Sequence, residues 1–233
     1  MKLGEEQIKD YHEYEEQHFK TRDFIEIPAK GCAALRENDP IFKGKKAVAS
    51  RSCSGLNLSF IFLPENIEYI GQSGFSSNEN LLEFTAQEGL QVIGRYAFSD
   101  CYQLRSVELP NSLKVVGKHA FKRCYQLQEV VIPPQVAQLP PVEDSPFVSC
   151  SKLETIVCNE CLKDLMKEYS AYLPSIRKII LTDKEGNKVM TLKCAENNRF
   201  ASDSLGLKKH FREIRESEKS RNRKLDDAEN LTI

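Results

Sequence analysis

Two adjacent stretches, LLEFTAQEGLQVIGRYAFSDCYQL at 81–104 and LRSVELPNSLKVVGKHAFKRCYQL at 104–127, have nearly the same pattern. The leading leucine recurs with a constant period of 23, at Leu58, Leu81, Leu104 and Leu127. The next leading leucine is Leu153, which lies one period and a short insertion further along the chain. A unit of this length is too small to bury its own apolar face, so it must stack on its neighbours. The sequence therefore predicts a solenoid.

Each repeat is predicted to contain a short strand, because two alternating apolar positions follow the leading leucine. These positions are Ile61 and Leu63, Phe84 and Ala86, Val107 and Leu109, Val130 and Ile132, and Ile156 and Cys158. The Ile-Gly or Val-Gly pair that follows is typical of a tight turn. The stretches A-F-x-x-C-x-x-L at 97–104 and 120–127 have helical spacing. The predicted unit is a strand, a turn and a short helix.

The combined pattern, L-x-x-V-x-L-P-x-S-L-x-x-V-G-x-x-A-F-x-x-C-x-x-L, resembles the BspA-like leucine-rich repeats. The match is close over 58–153, loose over about 22–57 and 154–181, and absent at both ends. The resemblance implies an α/β repeat fold, a short right-handed leucine-rich-repeat solenoid with one parallel sheet. It also implies that this sheet binds proteins, and it implies no catalytic residues.

Changes in composition along the chain predict three segments. Residues 1–21 are strongly charged and are expected to form an N-terminal cap. Residues 22–181 are predicted to form about five to six repeats, beginning with a degenerate strand at 22–28. Residues 182–233 are predicted to form a hairpin that turns at 183–187 and a basic helical tail.

Composition excludes several classes of protein. The 233 residues carry 33 basic and 34 acidic side chains, a net charge of -1, which argues against binding of nucleic acid through overall basicity. No apolar run approaches the roughly 20 residues that a membrane span needs. The first residues lack the apolar stretch of a secretory signal, so a cytoplasmic protein is expected, with delivery by a specialised secretion system as an alternative.

Three of the eight cysteines, Cys101, Cys124 and Cys150, occupy the same repeat position. Neighbouring units packed about 8–10 Å apart would hold their Cα atoms beyond the ~4.4–6.8 Å that a disulfide allows. We therefore expect free, buried thiols in a reducing compartment. The four histidines and the absence of G-x-S-x-G, P-loop and G-x-G-x-x-G motifs predict that the chain is not an enzyme.

Cys158-x-x-Cys161 has the spacing of a metal or redox site. A zinc ion would need two further ligands, for which Cys194 and His210 are the candidates. The repeat register places Cys158 on the buried face of a strand, which favours a structural thiol. No metal and no cofactor are predicted.

The candidate partner-binding residues are the strand positions between the core residues, which alternate to the outward face of the sheet. They are Phe60, Phe62, Glu83, Thr85, Ser106, Glu108, Glu129, Val131, Thr155 and Val157. The array is aromatic, then acidic, then aliphatic, so it predicts a protein partner with a basic patch. Two alternatives stay open: the phenylalanines could pack under the 37–46 loop or the N-terminal segment, and the glutamates could serve solubility alone.

The leading hypothesis is a non-catalytic protein-interaction module, either an intracellular scaffold or an effector delivered into a host cell. An exported BspA-like surface adhesin is an alternative. A zinc-stabilised protein and a protein that binds anionic surfaces through the basic tail at 208–224 are others. Stacked tyrosines at Tyr102 and Tyr125 and the insertion at 140–146 are further candidate contact surfaces.

Overall fold

The computed structural model describes residues 11–25 and 34–194. Within these ranges the strands are β1 (Ala34–Leu35), β2 (Ala47–Val48), β3 (Phe60–Leu63), β4 (Tyr69–Ile70), β5 (Glu83–Ala86), β6 (Val92–Ile93), β7 (Ser106–Glu108), β8 (Val115–Val116), β9 (Glu129–Val131), β10 (Thr155–Asn159), β11 (Lys178–Thr182) and β12 (Lys188–Lys193). The helices are α1 (Tyr11–His18) and α2 (Lys163–Tyr172). The predicted basic tail lies outside the described residues.

The longer strands form the predicted parallel sheet of a leucine-rich-repeat solenoid, which we call the long-strand sheet. Strands β1, β3, β5 and β7 pair in parallel, and β9, β10 and β11 form a second parallel set, whose β9 contacts β7 without being paired with it. The name long-strand sheet covers both sets. Successive coils pair in the register of the sequence repeat, as Phe84 with Val107. The predicted inward positions are buried except Leu109, which is half-buried beyond the end of β7.

A second parallel sheet runs along another side of the solenoid, where the sequence predicts only a turn. The short-strand sheet consists of β2, β4, β6 and β8, which have two residues each. Gly94 follows one of these strands, and a Cβ there would lie 2.8 Å from the Ile70 carbonyl oxygen and from the Gly71 carbonyl carbon. The repeated glycine therefore permits close stacking of coils rather than a special turn conformation.

The A-F-x-x-C-x-x-L stretch is not the predicted helix but a run of turns. Alternate N–H groups donate to carbonyl groups of the next coil, as Phe98 to Ala120 at 2.7 Å and Asp100 to Lys122 at 2.9 Å. Asp100, within this stretch, has a φ of 63°, which an α-helix does not tolerate. The helical spacing misled the prediction because consecutive turns, from Phe98 to Cys101 and from Cys101 to Leu104, also bury a side chain at every third residue.

Stacked aromatic rings fill the core beside these turns. The rings of Phe75, Phe98, Phe121 and Phe147 lie one above another, with centroids 5.3–5.9 Å apart. Burial of four rings in register stabilises adjacent coils, because each ring packs against its neighbours in the stack.

The first repeat differs from its prediction. Ala34 and Leu35 pair with β3, whereas the sequence places that strand at 22–28. Phe24 instead forms a single parallel bridge with Ala47, at the edge of the short-strand sheet. Residues 26–28 lie outside the described residues, so only the first part of the predicted strand can be placed.

Helix α1 lies over the outward face of the short-strand sheet, whereas the sequence predicts a cap at one end. Tyr11 packs with the first residue of each short strand, which are Ala47, Tyr69, Val92 and Val115. The carboxylate of Glu15 accepts a hydrogen bond of 2.6 Å from the Ser50 hydroxyl. The helix therefore contacts four successive coils and buries an apolar column that these strands would otherwise expose.

The C-terminal coil is built differently from the others. Helix α2 takes the place of a short strand, and its Met166 and Tyr169 are buried. The Tyr169 hydroxyl donates to the Pro140 carbonyl oxygen at 2.7 Å, which ties α2 to the insertion in the preceding repeat. Strand β12 then pairs antiparallel with β11, giving a hairpin at the predicted turn.

Candidate partner-binding face

The ten candidate residues form two columns on the outward face of the long-strand sheet. Phe60, Glu83 and Ser106 are register partners in the first column, which continues with Glu129 and Thr155. The second column is Phe62, Thr85, Glu108, Val131 and Val157. The alternate residues of these strands are buried, so the strand period places all ten on the same face.

The three glutamates, Glu83, Glu108 and Glu129, are exposed. Within residues 11–25 and 34–194 none of them lies in an ion pair. Glu108 accepts a long hydrogen bond of 3.4 Å from the Thr85 hydroxyl. The middle of the face therefore presents negative charge that is not neutralised by the described part of the chain.

Apolar groups flank this acidic centre. Phe60 and Phe62 are half-buried, and 50% of the surface of Val131 is exposed. The 37–46 loop is anchored at Asn66, whose amide donates to the carbonyl oxygens of Phe42 and Lys45. Both rings keep exposed surface, so they can still contact a partner.

The face becomes cationic at its C-terminal end. Lys178 continues the first column after Thr155, and Lys193 of β12 lies directly opposite Lys178. Both lysines are exposed, and neither has an ion-pair partner among the described residues. A partner that lies along the whole face would therefore contact acidic groups on β5, β7 and β9 and basic groups on β11 and β12.

The thiols are free and suit structural roles. All seven cysteines in the described ranges are free. The thiols of Cys101, Cys124 and Cys150 donate to a phenylalanine carbonyl oxygen of the preceding coil, at 3.4, 3.3 and 3.1 Å. Burial raises the pKa of Cys101 and of Cys150 to about 12. Thiols with such a pKa stay protonated at neutral pH and are poor nucleophiles and metal ligands.

Cys158 and Cys161 do not share a site with further ligands in the described part of the chain. Cys158 is buried on the inward face of β10, where burial raises its pKa to about 12, and Cys161 is exposed. No group of three or more His, Cys, Asp or Glu side chains among residues 11–25 and 34–194 could hold a metal ion. His210 lies outside these ranges.

The other candidate surfaces are ordered parts of the fold. The rings of Tyr102 and Tyr125 stack with centroids 5.4 Å apart. In the insertion, the carboxylate of Asp144 lies 2.9 Å from the Lys118 ammonium and 3.5 Å from the His119 ring. Burial lowers the pKa of His119. These contacts hold the insertion against the neighbouring coil, so it is not a projecting arm.

The apolar face that α1 covers on the short-strand sheet was not predicted from the sequence. Its signal was present as consecutive apolar residues before each glycine, as in Tyr69-Ile70-Gly71 and Val115-Val116-Gly117. A strand with both residues apolar is covered on both faces.

Within the described ranges, no helix is both long and apolar enough to cross a bilayer.

Comparison with known proteins identifies the repeat. The protein-family model described as the BspA type leucine rich repeat region matches residues 46–177 in six copies. A comparison with curated proteins finds no match. Among solved structures, the leucine rich repeat protein of T. pallidum is 25% identical, with a TM-score of 0.50. The match covers 57% of this chain and 61% of that one.

A leucine-rich repeat protein from Bacteroides ovatus is 24% identical, with a TM-score of 0.43 over 60% of this chain and 40% of that one. The chain thus spans about three fifths of the T. pallidum protein and two fifths of the Bacteroides protein. The family model covers more than half of the chain, and the fold has the parallel repeat strands that the pattern predicts. The chain belongs to the family of BspA-type leucine-rich repeat proteins.

Proposed function

We propose that the chain is a non-catalytic module that binds a protein through the outward face of its long-strand sheet. The observation that supports this most directly is the group of three exposed glutamates without ion-pair partners among the described residues, Glu83, Glu108 and Glu129. Half-buried or exposed apolar side chains flank it. Opposite charge on a partner would steer association and set its orientation, while the flanking apolar groups would contribute most of the affinity. The partner is therefore a protein with a basic patch.

The experiment is affinity capture with the wild-type chain and a Glu83→Lys, Glu108→Lys, Glu129→Lys variant. The matched control is Glu79→Lys, Glu160→Lys, Glu168→Lys, which makes the same charge change at exposed positions away from this face. A partner captured by the wild type and the control but lost from the first variant supports the proposal. Equal capture by all three would overturn it.

The apolar flanks are tested separately. Replacement of Phe60 and Phe62 by alanine removes two half-buried rings from the face. Loss of a hot-spot aromatic residue typically weakens binding by about 2 kcal/mol or more. Isothermal titration with the captured partner measures this loss. An unchanged affinity would contradict the role of the aromatic flank and leave the three glutamates as the contact surface.

The proposed site of action is inside a cell, as a scaffold or a delivered effector. Free thiols, such as those of Cys101 and Cys150, are typical of a protein in a reducing compartment. Surface biotinylation of intact cells tests this part of the proposal. Labelling of the chain on intact cells would favour an exported adhesin instead.

A further inference from the structure

Strand β12 forms the C-terminal edge of the long-strand sheet. It pairs with β11 on one side, and no strand within residues 11–25 and 34–194 pairs with its other side. An edge of this kind offers unpaired N–H and C=O groups, to which an extended segment can add as a further strand.

The backbone groups on the free edge can be identified from the pairing with β11. The Cys194 N–H donates to the Arg177 carbonyl oxygen at 2.9 Å. In an antiparallel pair such hydrogen-bonded positions alternate with positions whose backbone groups point away. The N–H and C=O groups of Thr191 and Lys193 therefore point to the free edge.

The side chains on this edge indicate the chemistry of a partner. Lys193 lies on the outward face directly opposite Lys178, and like charges in this position repel each other. Met190 and Leu192 lie on the other face, where Met190 is 41% exposed. An added strand would place acidic groups beside Lys193 and apolar groups beside Met190.

We infer that the free edge of β12 binds an extended segment of a partner protein in which acidic and apolar residues alternate. A second copy of this chain is a poorer occupant, because it would bring Lys188 and Lys193 of another β12 to the same edge. Edge lysines of this kind discourage pairing between identical strands. The inference concerns the backbone edge that borders the proposed sheet face at Lys193, and it does not depend on partner binding to the acidic part of that face.

The test uses the full chain and fluorescence anisotropy. The probes are a fluorescein-labelled heptapeptide of alternating valine and glutamate and a matched heptapeptide of alternating valine and lysine. We expect the glutamate peptide to bind and the lysine peptide to bind at least about tenfold more weakly, because only the first neutralises the lysines. No binding of the glutamate peptide, or equal binding of both, would overturn the inference.

A pair of variants at one position tests the backbone contact. Thr191→Pro removes the N–H that points to the free edge and leaves the ladder with β11 intact, whereas Thr191→Val keeps that N–H. The proline substitution should weaken binding of the glutamate peptide by about tenfold, because it removes a hydrogen bond and adds a steric block. The valine variant should bind this peptide as the wild type does. Equal affinities in the two variants would contradict strand addition.

Two controls distinguish strand addition by a partner from pairing between copies and from an effect unrelated to charge. Light scattering coupled to chromatography measures the oligomeric state. A wild-type dimer that becomes a monomer in the Thr191→Pro variant would assign the edge to a second copy of the chain and overturn the inference. A Lys193→Glu variant, which leaves Lys178 and Lys188 in place, should reduce the preference for the glutamate peptide. Because its backbone is unchanged, an unaltered preference would also contradict the inference.

Discussion

The two sheets of the solenoid come from the same repeat but differ in what covers them. In the long-strand sheet, buried residues alternate with exposed ones, as Ile61 with Phe62 and Val130 with Val131. In the short-strand sheet both residues of every strand are buried, because α1 lies on the outward face. One side of the solenoid is therefore covered by the chain itself, while another is left to solvent.

The covered sheet should be far more sensitive to substitution than the exposed one. Tyr69→Ala removes a fully buried ring from beneath α1 and should lower the free energy of unfolding by about 3–5 kcal/mol. Ser106→Ala, at an outward position of the long-strand sheet, should change it by less than about 0.5 kcal/mol. Urea unfolding followed by circular dichroism measures both.

Tyr69→Phe is the control, since it keeps the ring and removes the hydroxyl that donates to the Tyr11 carbonyl oxygen. Its cost should be about 1 kcal/mol. Similar small costs for Tyr69→Ala and Ser106→Ala would show that α1 does not cover the short-strand sheet.

The glycine after each short strand should be sensitive because coils stack closely there. Gly94→Ala places a Cβ against backbone atoms of the preceding coil, and this overpacking should cost about 1–3 kcal/mol. Ala49 is the register equivalent of Gly71 in the first coil, and Ala49→Gly should cost no more than about 1 kcal/mol. Thermal unfolding of the two variants gives the comparison, and a neutral Gly94→Ala would refute close stacking as the reason for the glycine.

The stability that α1 contributes by packing on the short-strand sheet should depend on pH, because Glu15 titrates at this contact. Burial raises the pKa of this carboxyl above its usual value, although its hydrogen bond with Ser50 opposes the shift. The folded state then binds more protons than the unfolded state between the two pKa values, so stability falls as pH rises through that window and stays lower above it. Glu15→Gln should remove this slope and make the chain more stable than the wild type at pH 7.

The measurement is the urea midpoint of wild type and Glu15→Gln from pH 4 to pH 8. The difference between the two chains cancels the groups that do not interact with Glu15. It retains the contribution of His12, whose ring lies 3.8 Å from the Glu15 carboxylate. A difference in urea midpoint that stays constant from pH 4 to pH 8 would contradict a raised pKa of Glu15. If the wild type instead gained stability relative to the variant as pH rises, the pKa of Glu15 would be lowered by folding, not raised.

The smallest effect is expected at the exposed end of the long-strand sheet. Lys193→Glu replaces a pair of like charges with an opposite-charge pair next to Lys178, which should raise stability by about 0.2–1 kcal/mol. Added salt should reduce the gain because both side chains are exposed. The neutral variant Lys193→Gln should gain less, and equal gains from both variants would argue against a charge effect.

Much of the long-strand sheet could be predicted from the sequence. The constant period of the repeat set the register, as in the pairing of Phe84 with Val107, and the period of two placed Glu83 and Val131 on the outward face. These features depend on local spacing and on the rule that apolar residues are buried. Whether this face binds a partner stays a prediction.

Other features could not be predicted because they depend on contacts between coils. The stretch after Ala97 has helical spacing, yet its backbone N–H groups find partners in the next coil, so it forms turns. The charged segment that forms α1 gave no sign of its place, since Tyr11 and Glu15 find their contacts only once four coils are stacked. The first strand was misplaced because the loosely matching repeat has no strict period.

The sequence by itself determined that this protein is a repeat solenoid, because a unit as short as its repeat can bury its leucines only by stacking. It also determined which strand residues point outward. Only the tertiary structure decided that a second sheet exists, that α1 covers it, and that β12 leaves an edge without a partner among the described residues. The physical reason is that alternation within a strand is local, whereas coverage depends on where distant segments pack.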